Sequence, residues 1–145
     1  MAARTEDIFK VLGGRKVLGH KVPTVDELTE RIRAGLPFAA VEALMSDFDI
    51  NREELETTLT LPLRTFARRK KENRLRTDES DRLVRLANVA AKAAAVLGEK
   101  RKAARWLHRP NRALGNRVPL SLLDTDLGAR QVEAVLLRIE HGVFS

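Results

Sequence analysis

The 145-residue chain has no cysteine and no tyrosine, a single tryptophan and five phenylalanines. Without thiols it has no disulfides, no thiolate metal site and no cysteine nucleophile. Aromatic residues make up only 4% of the sequence, and the basic helix face described below holds no ring for base stacking, which argues against an RNA-binding module that reads unpaired bases. No stretch approaches the roughly 18 apolar residues of a membrane span, and the N-terminus lacks the basic and apolar regions of a signal peptide. The expectation is a soluble, cytoplasmic protein with no membrane partner. His20, His108 and His141 are too far apart for a local ligand motif and HExxH is absent, so neither metal nor other cofactor is expected. Gly13-Gly14-Arg15-Lys16 lacks the spacing of a phosphate loop, and no serine sits in a GxSxG context. With no catalytic constellation in sight, the chain reads as a protein that is not an enzyme.

A hydrophobic content of 43% is enough for a core, either as one compact domain or as two small ones that share it. Every readable periodicity is helical. Ile8, Phe9, Val11 and Leu12 suit one helical face until Gly13-Gly14, and the following RKVLGHKVP looks irregular. Thr24 and Glu27 form a capping box, after which Val25, Leu28 and Ile32 recur on one face up to Gly35. Pro37 opens a helix with the stripe Phe38, Val41, Leu44, Met45 and Phe48, and Asn51 caps a short one over 52–58. Pro62 starts another, Thr77 caps a long helix over 78–97 that stops at Gly98, and a shorter one runs to Leu107. A loop surrounds Pro110, one turn covers Pro119 to Leu123, Asp124-Thr125-Asp126 reads as a turn, and a last helix spans about Ala129 to His141. No alternating strand pattern appears, so the fold class is all-α.

The charge is uneven. Residues 60–117 hold 17 Lys plus Arg against 5 Asp plus Glu, a net of +12, while the remainder holds 10 against 15, a net of −5, giving the overall +7. This basicity is read as one surface with a polyanionic partner. Its densest part, Arg64 to Arg76, carries seven bases and one acid. Stepping about 100° per residue puts Leu63, Phe66 and Ala67 on one side and Arg64, Thr65, Arg68, Arg69 and Glu72 on the other, with Lys70 snorkelling from the apolar side. A short capped helix, a tight turn and a cationic helix meet the requirements of a helix-turn-helix. The candidate DNA-binding residues are Arg64, Thr65, Arg68, Arg69, Lys71 and Arg74: arginine forks suit guanine O6 and N7, and both basic residue types suit phosphate. The plainer alternative, a solvated charged face, is disfavoured because such faces mix signs to form i,i+4 pairs.

The C-terminal block adds a resemblance. Ala104, Trp106-Leu107, Pro110-Asn111, Ala113-Leu114-Gly115, Pro119-Leu120, Leu123, Thr125, Gly128, Arg138-Ile139-Glu140 and Gly142-Val143 occur in an order similar to the toxin-binding region of the Xre/MbcA/ParS antitoxins. Arg64-Thr65, Arg68-Arg69 and Glu79 to Leu83 resemble the Xre-like helix-turn-helix of the same family. The likeness covers about residues 30–145. One departure is Asn116 in place of an expected second glycine, a change that asparagine's tolerance of the left-handed conformation makes mild.

The resemblance implies an antitoxin that silences a RES-type, NAD-consuming toxin, represses its own operon by binding double-stranded operator DNA, and works as a homodimer. The implied organisation is a DNA-binding helix-turn-helix domain over 36–97 and a toxin-binding region over 98–145; the N-terminal segment over 1–35 lies largely outside the likeness, and dimerisation and mobility are the two readings open for it. An apolar terminus is either tucked onto its own core or held by a partner. With the resemblance, Arg138, Glu140, His141, Val143, Phe144 and Ser145 become the candidate toxin-binding residues, whereas Trp106, Leu114 and Leu120 are expected in the core. The rival reading is a stand-alone transcription regulator whose C-terminal region dimerises or senses a ligand.

Overall fold

The computed structural model describes residues 5–19 and 21–142. Among these described residues nine α-helices follow in order: α1 Thr5–Val11, α2 Arg15–Leu18, α3 Val25–Ala34, α4 Phe38–Phe48, α5 Arg52–Leu59, α6 Leu63–Glu72, α7 Thr77–Leu97, α8 Lys100–His108 and α9 Asp126–Glu140. Two 3-10 turns, Arg112–Leu114 and Pro119–Leu122, lie between α8 and α9. Among the described residues there is no strand, only one isolated antiparallel bridge between Asn111 and Arg117, and no helix long and apolar enough to cross a membrane.

Helix starts follow local chemistry. The Thr24 hydroxyl accepts the Glu27 N–H while the Glu27 carboxylate accepts the Thr24 N–H, and Asn51 and Glu54 repeat the arrangement at α5. Two expected starts shift. Thr77 is the first residue of α7 rather than its cap, because its hydroxyl donates instead to the Arg33 carbonyl. The last helix begins earlier than expected, since the Thr125 hydroxyl accepts the Gly128 N–H and caps α9. RKVL, read as irregular, closes the single turn α2, which buries Leu18. Asn116 does adopt the left-handed conformation, with φ 63°.

α7 is the axis around which the rest packs, touching α1, α3, α4, α5, α8 and α9. Its buried face combines Leu83 and Leu86 with Ala87, Ala90, Ala91 and Ala93, and the small side chains let neighbouring helices come close. One continuous hydrophobic core runs from Ile8 to Leu136 and draws on all three segments inferred from sequence. Leu114 and Leu120 are buried in it and Trp106 packs half-buried against it, as expected. Val25, expected inside, is 69% exposed, leaving Leu28 to anchor α3.

The C-terminal end of α3 is tied to the α6–α7 junction. Leu75 N–H donates to the Leu36 carbonyl, the Ser80 hydroxyl accepts the Leu36 N–H, and Arg74 donates to the Ala34 carbonyl. Gly35 makes this close passage possible: its φ is 95°, and a β-carbon there would lie 2.1 Å from the Leu75 carbonyl oxygen.

Candidate nucleic-acid and partner interfaces

α5 and α6 are separated by Thr60, Leu61 and Pro62, with Thr60 in the left-handed conformation at φ 52° and Leu61 buried. A β-branched residue rarely adopts that conformation, so the turn is held by its surroundings: the buried Leu59 and Leu61 on either side of it. Phe66 of α6 meets Phe38 of α4 edge to face, with ring centroids 5.0 Å apart. α4, α5 and α6 therefore form a braced trihelical unit with α6 on its outside.

The orientation of α6 differs in part from the expected one. Its inward face is Phe66 with Arg69, not Leu63, Phe66 and Ala67. Arg69 is 5% exposed, and its Nε donates to Glu79 Oε1 at 2.7 Å while a terminal nitrogen reaches Glu72 at 3.2 Å. Glu79 Oε1 also accepts the Arg76 N–H at 2.8 Å. The hydrogen bond that Arg69 donates to Glu79 raises the Arg69 pKa above its ordinary value despite burial. Arg69 was expected among the DNA contacts; its guanidinium is instead the strut between α6 and α7, because a buried charge must keep its partner.

With Phe66 and Arg69 inward, the outward side holds Arg64, Ala67, Arg68 and Lys71, all exposed. None of the three cations has an ion pair among the described residues. Thr65 is half-buried on the flank, and Arg74 lies past the helix end with its guanidinium committed to the Ala34 carbonyl. Lys70 points out, 4.0 Å from Glu42.

The positive charge of residues 60–117 does not gather on one surface, as the sequence suggested: α8 carries a second cluster, and Arg82, Arg85 and Lys92 are engaged elsewhere along α7. On α8 and the loop after it, Arg101, Lys102, Arg105, Arg109 and Arg112 are exposed and have no ion pair among the described residues. Between this patch and α6 lies an acidic belt from α4 and α5. Lys70 faces Glu42 on one side of it, Lys100 reaches Asp47 at 2.9 Å on the other, and His108 Nε2 meets Glu54 at 3.1 Å. Burial disfavours the charged form of His108, but its contacts with the Ala104 carbonyl and the Glu54 carboxylate outweigh that and raise its pKa. The α8 run was legible as charge; its separation from α6 depends on how α4 is packed.

At the far end, Arg138 is exposed on α9 and His141 is exposed just past its end, and Glu140 is half-buried beside a shallow groove lined by Lys92, Val96, Arg130, Ala134 and Leu137. Lys92 pairs with Glu133 at 2.8 Å and fixes α9 against α7. Leu127 and Leu137 are 75% and 47% exposed on the same helix, a signal that sequence periodicity did not single out. Val143, Phe144 and Ser145 lie outside the described residues, as does His20. No group of three or more His, Asp or Glu side chains among the described residues is arranged to hold a metal ion.

Comparison with known proteins matches both halves. A family model described as the antitoxin Xre-like helix-turn-helix domain matches residues 27–88. A second, described as the antitoxin Xre/MbcA/ParS C-terminal toxin-binding domain, matches residues 92–142. A protein named Antitoxin Xre from Yersinia enterocolitica is 33% identical over 120 residues, 81% of each chain. Another of that name from Photorhabdus laumondii is 31% identical over 132 residues, 90% of this chain and 89% of the relative. A third, from Pseudomonas putida, is 43% identical over 89 residues, which are 61% of this chain but only 56% of the relative.

Proposed function

The chain belongs to the Xre antitoxin family, and from that premise we infer that it neutralises a cognate toxin with its C-terminal region and binds operator DNA through α6. Such a protein works by binding rather than by catalysis. The toxin is of the RES type, whose members consume NAD, and DNA binding by a homodimer represses the antitoxin's own operon. Residues 36–97 carry the DNA contact and 98–145 the toxin contact, with 1–35 serving dimerisation.

The observation that carries the DNA half is the cationic row Arg64, Arg68 and Lys71, which has no ion pair among the described residues and is presented on the outward face of a helix whose inward face is locked by Phe66 and Arg69. Such a row matches phosphate and guanine edges without moving the core. The toxin half rests on the family relationship and on Arg138 and His141 standing exposed at the end of α9, from which the Val143–Ser145 tail continues.

Two measurements test the pair of roles. Arg68→Ala is expected to weaken operator binding by about 1–3 kcal/mol if the side chain reads a base, and unchanged affinity in the Arg64, Arg68 and Lys71 single variants removes α6 from that role. Co-expression with the product of the adjacent reading frame should give co-purification and rescue growth, whereas removal of residues 142–145 should abolish rescue and leave DNA binding intact. Rescue by the shortened form overturns the tail assignment. Operator binding without any toxin partner favours a stand-alone regulator.

A further inference from the structure

We propose that Leu63 reads the 5-methyl group of a thymine in the operator's major groove, next to the base gripped by the arginine row; this rests on the DNA-binding role of α6. Leu63 is the first residue of α6 and is 48% exposed. Helical periodicity alone would turn it inward with Phe66. The burial of Arg69 against Glu79 rotates the helix so that Leu63 comes out instead.

The outward face of α6 is therefore chemically divided. Leu63 and Ala67, one turn apart, form an apolar edge, and Arg64, Arg68 and Lys71 form a cationic edge beside it. A single exposed leucine is ordinary on a protein surface. This one stands at the N-terminal end of the helix, the end that meets base edges in helix-turn-helix proteins. The major groove offers one apolar group, the thymine methyl, alongside the guanine acceptors that suit arginine. A divided face of this kind matches a thymine adjoining a guanine, and the continuity of its two edges points to one partner, duplex DNA, rather than to a second protein surface.

The test begins with selection of duplexes from a random-sequence pool by the full-length chain. Each thymine of the selected half-site is then replaced by deoxyuridine, which removes only the methyl group. At one position the unaltered protein should lose about fourfold in affinity, the equivalent of one buried methyl group. Leu63→Ala and Leu63→Ser should bind the thymine and uracil duplexes equally. Uracil duplexes that all bind like their thymine parents overturn the methyl assignment alone, as does a Leu63→Ala protein that keeps the discrimination. A change of oligomeric state in Leu63→Ala with discrimination intact assigns the leucine to a contact between copies. A chain that enriches no sequence overturns DNA binding by α6 itself.

Discussion

Replacing Arg69 tests whether the cationic helix is aimed by a buried ion pair. Arg69 and Glu79 side chains are 6% and 7% exposed, and their contact is 2.7 Å. Removing one member of such a pair costs about 3–5 kcal/mol, mostly because the other is left charged and unpaired out of water. In Arg69→Ala, Glu79 retains the Arg76 N–H at 2.8 Å, so the lower part of that range applies, about 3 kcal/mol. For a chain of this length that corresponds to a drop in Tm of about 6–12 °C. Arg69→Met/Glu79→Met should regain most of the loss or exceed the parent, since apolar replacement of a whole buried pair is often neutral or stabilising. Urea unfolding followed by far-ultraviolet circular dichroism on the parent, both Met single variants and the double variant gives the coupling energy directly. Additive losses, or a loss below about 1 kcal/mol in Arg69→Ala, would refute the strut. Intact stability with weakened DNA affinity would return Arg69 to the contact surface.

Three further outcomes follow from single atoms. Gly35→Ala sets a β-carbon 2.1 Å from the Leu75 carbonyl at a positive φ; it should cost about 2–4 kcal/mol, read as a lower urea midpoint, and a loss under about 1 kcal/mol would show that α3 does not hold the α6–α7 junction. Thr125→Ala removes the α9 cap and should cost about 1 kcal/mol, while Thr125→Ser keeps most of it; equal Tm values for all three proteins would argue against the cap. The folded-state pKa of His108 is raised above its ordinary 6.5, so its pairing with Glu54 stabilises fully below that unfolded value and is lost as pH rises through the higher folded value. The urea midpoint of His108→Gln should therefore fall below the parent's in mild acid and converge on it at alkaline pH; parallel profiles would exclude the pair as a source of stability.

What was legible in the sequence was whatever neighbours along the chain decide. Thr24 with Glu27 and Asn51 with Glu54 mark helix starts because a cap and its N3 partner are three residues apart. The α4 stripe is equally local. Periodicity failed where a distant residue changes what counts as an inward side chain. Arg69 looks like surface until Glu79, ten residues on and in the next helix, makes its burial possible. Leu63 looks like core until that burial turns the helix. Thr77 has a cap's chemistry, but the Arg33 carbonyl, 44 positions upstream, takes its hydroxyl. The two cationic patches were adjacent in a charge count and are parted only by the packing of acidic α4 and α5 between them.

The shared core constrains how the two roles can communicate. α7 receives the trihelical unit through α4, α5 and the Arg69–Glu79 strut, and α8 and α9 lie against the same helix. His108 of α8 holds Glu54, whose carboxylate also completes the α5 capping box, so a residue of the C-terminal block touches the first turn of the helix-turn-helix. The link is stiff and short-ranged: a cap, an ion pair and alanine-lined contacts, with no hinge glycine inside α7. A partner seated on the outer face of α9 therefore has two physical routes to DNA affinity. It can stiffen α7 and so the strut that aims α6, or it can bring its own charge or bulk near the duplex. The part of the first that passes through Arg69 should vanish in Arg69→Met/Glu79→Met and the part that passes through Glu54 should vanish in His108→Gln, whereas the second is indifferent to both substitutions and sensitive to salt. The strut and His108 variants together thus separate coupling through the core from coupling through space.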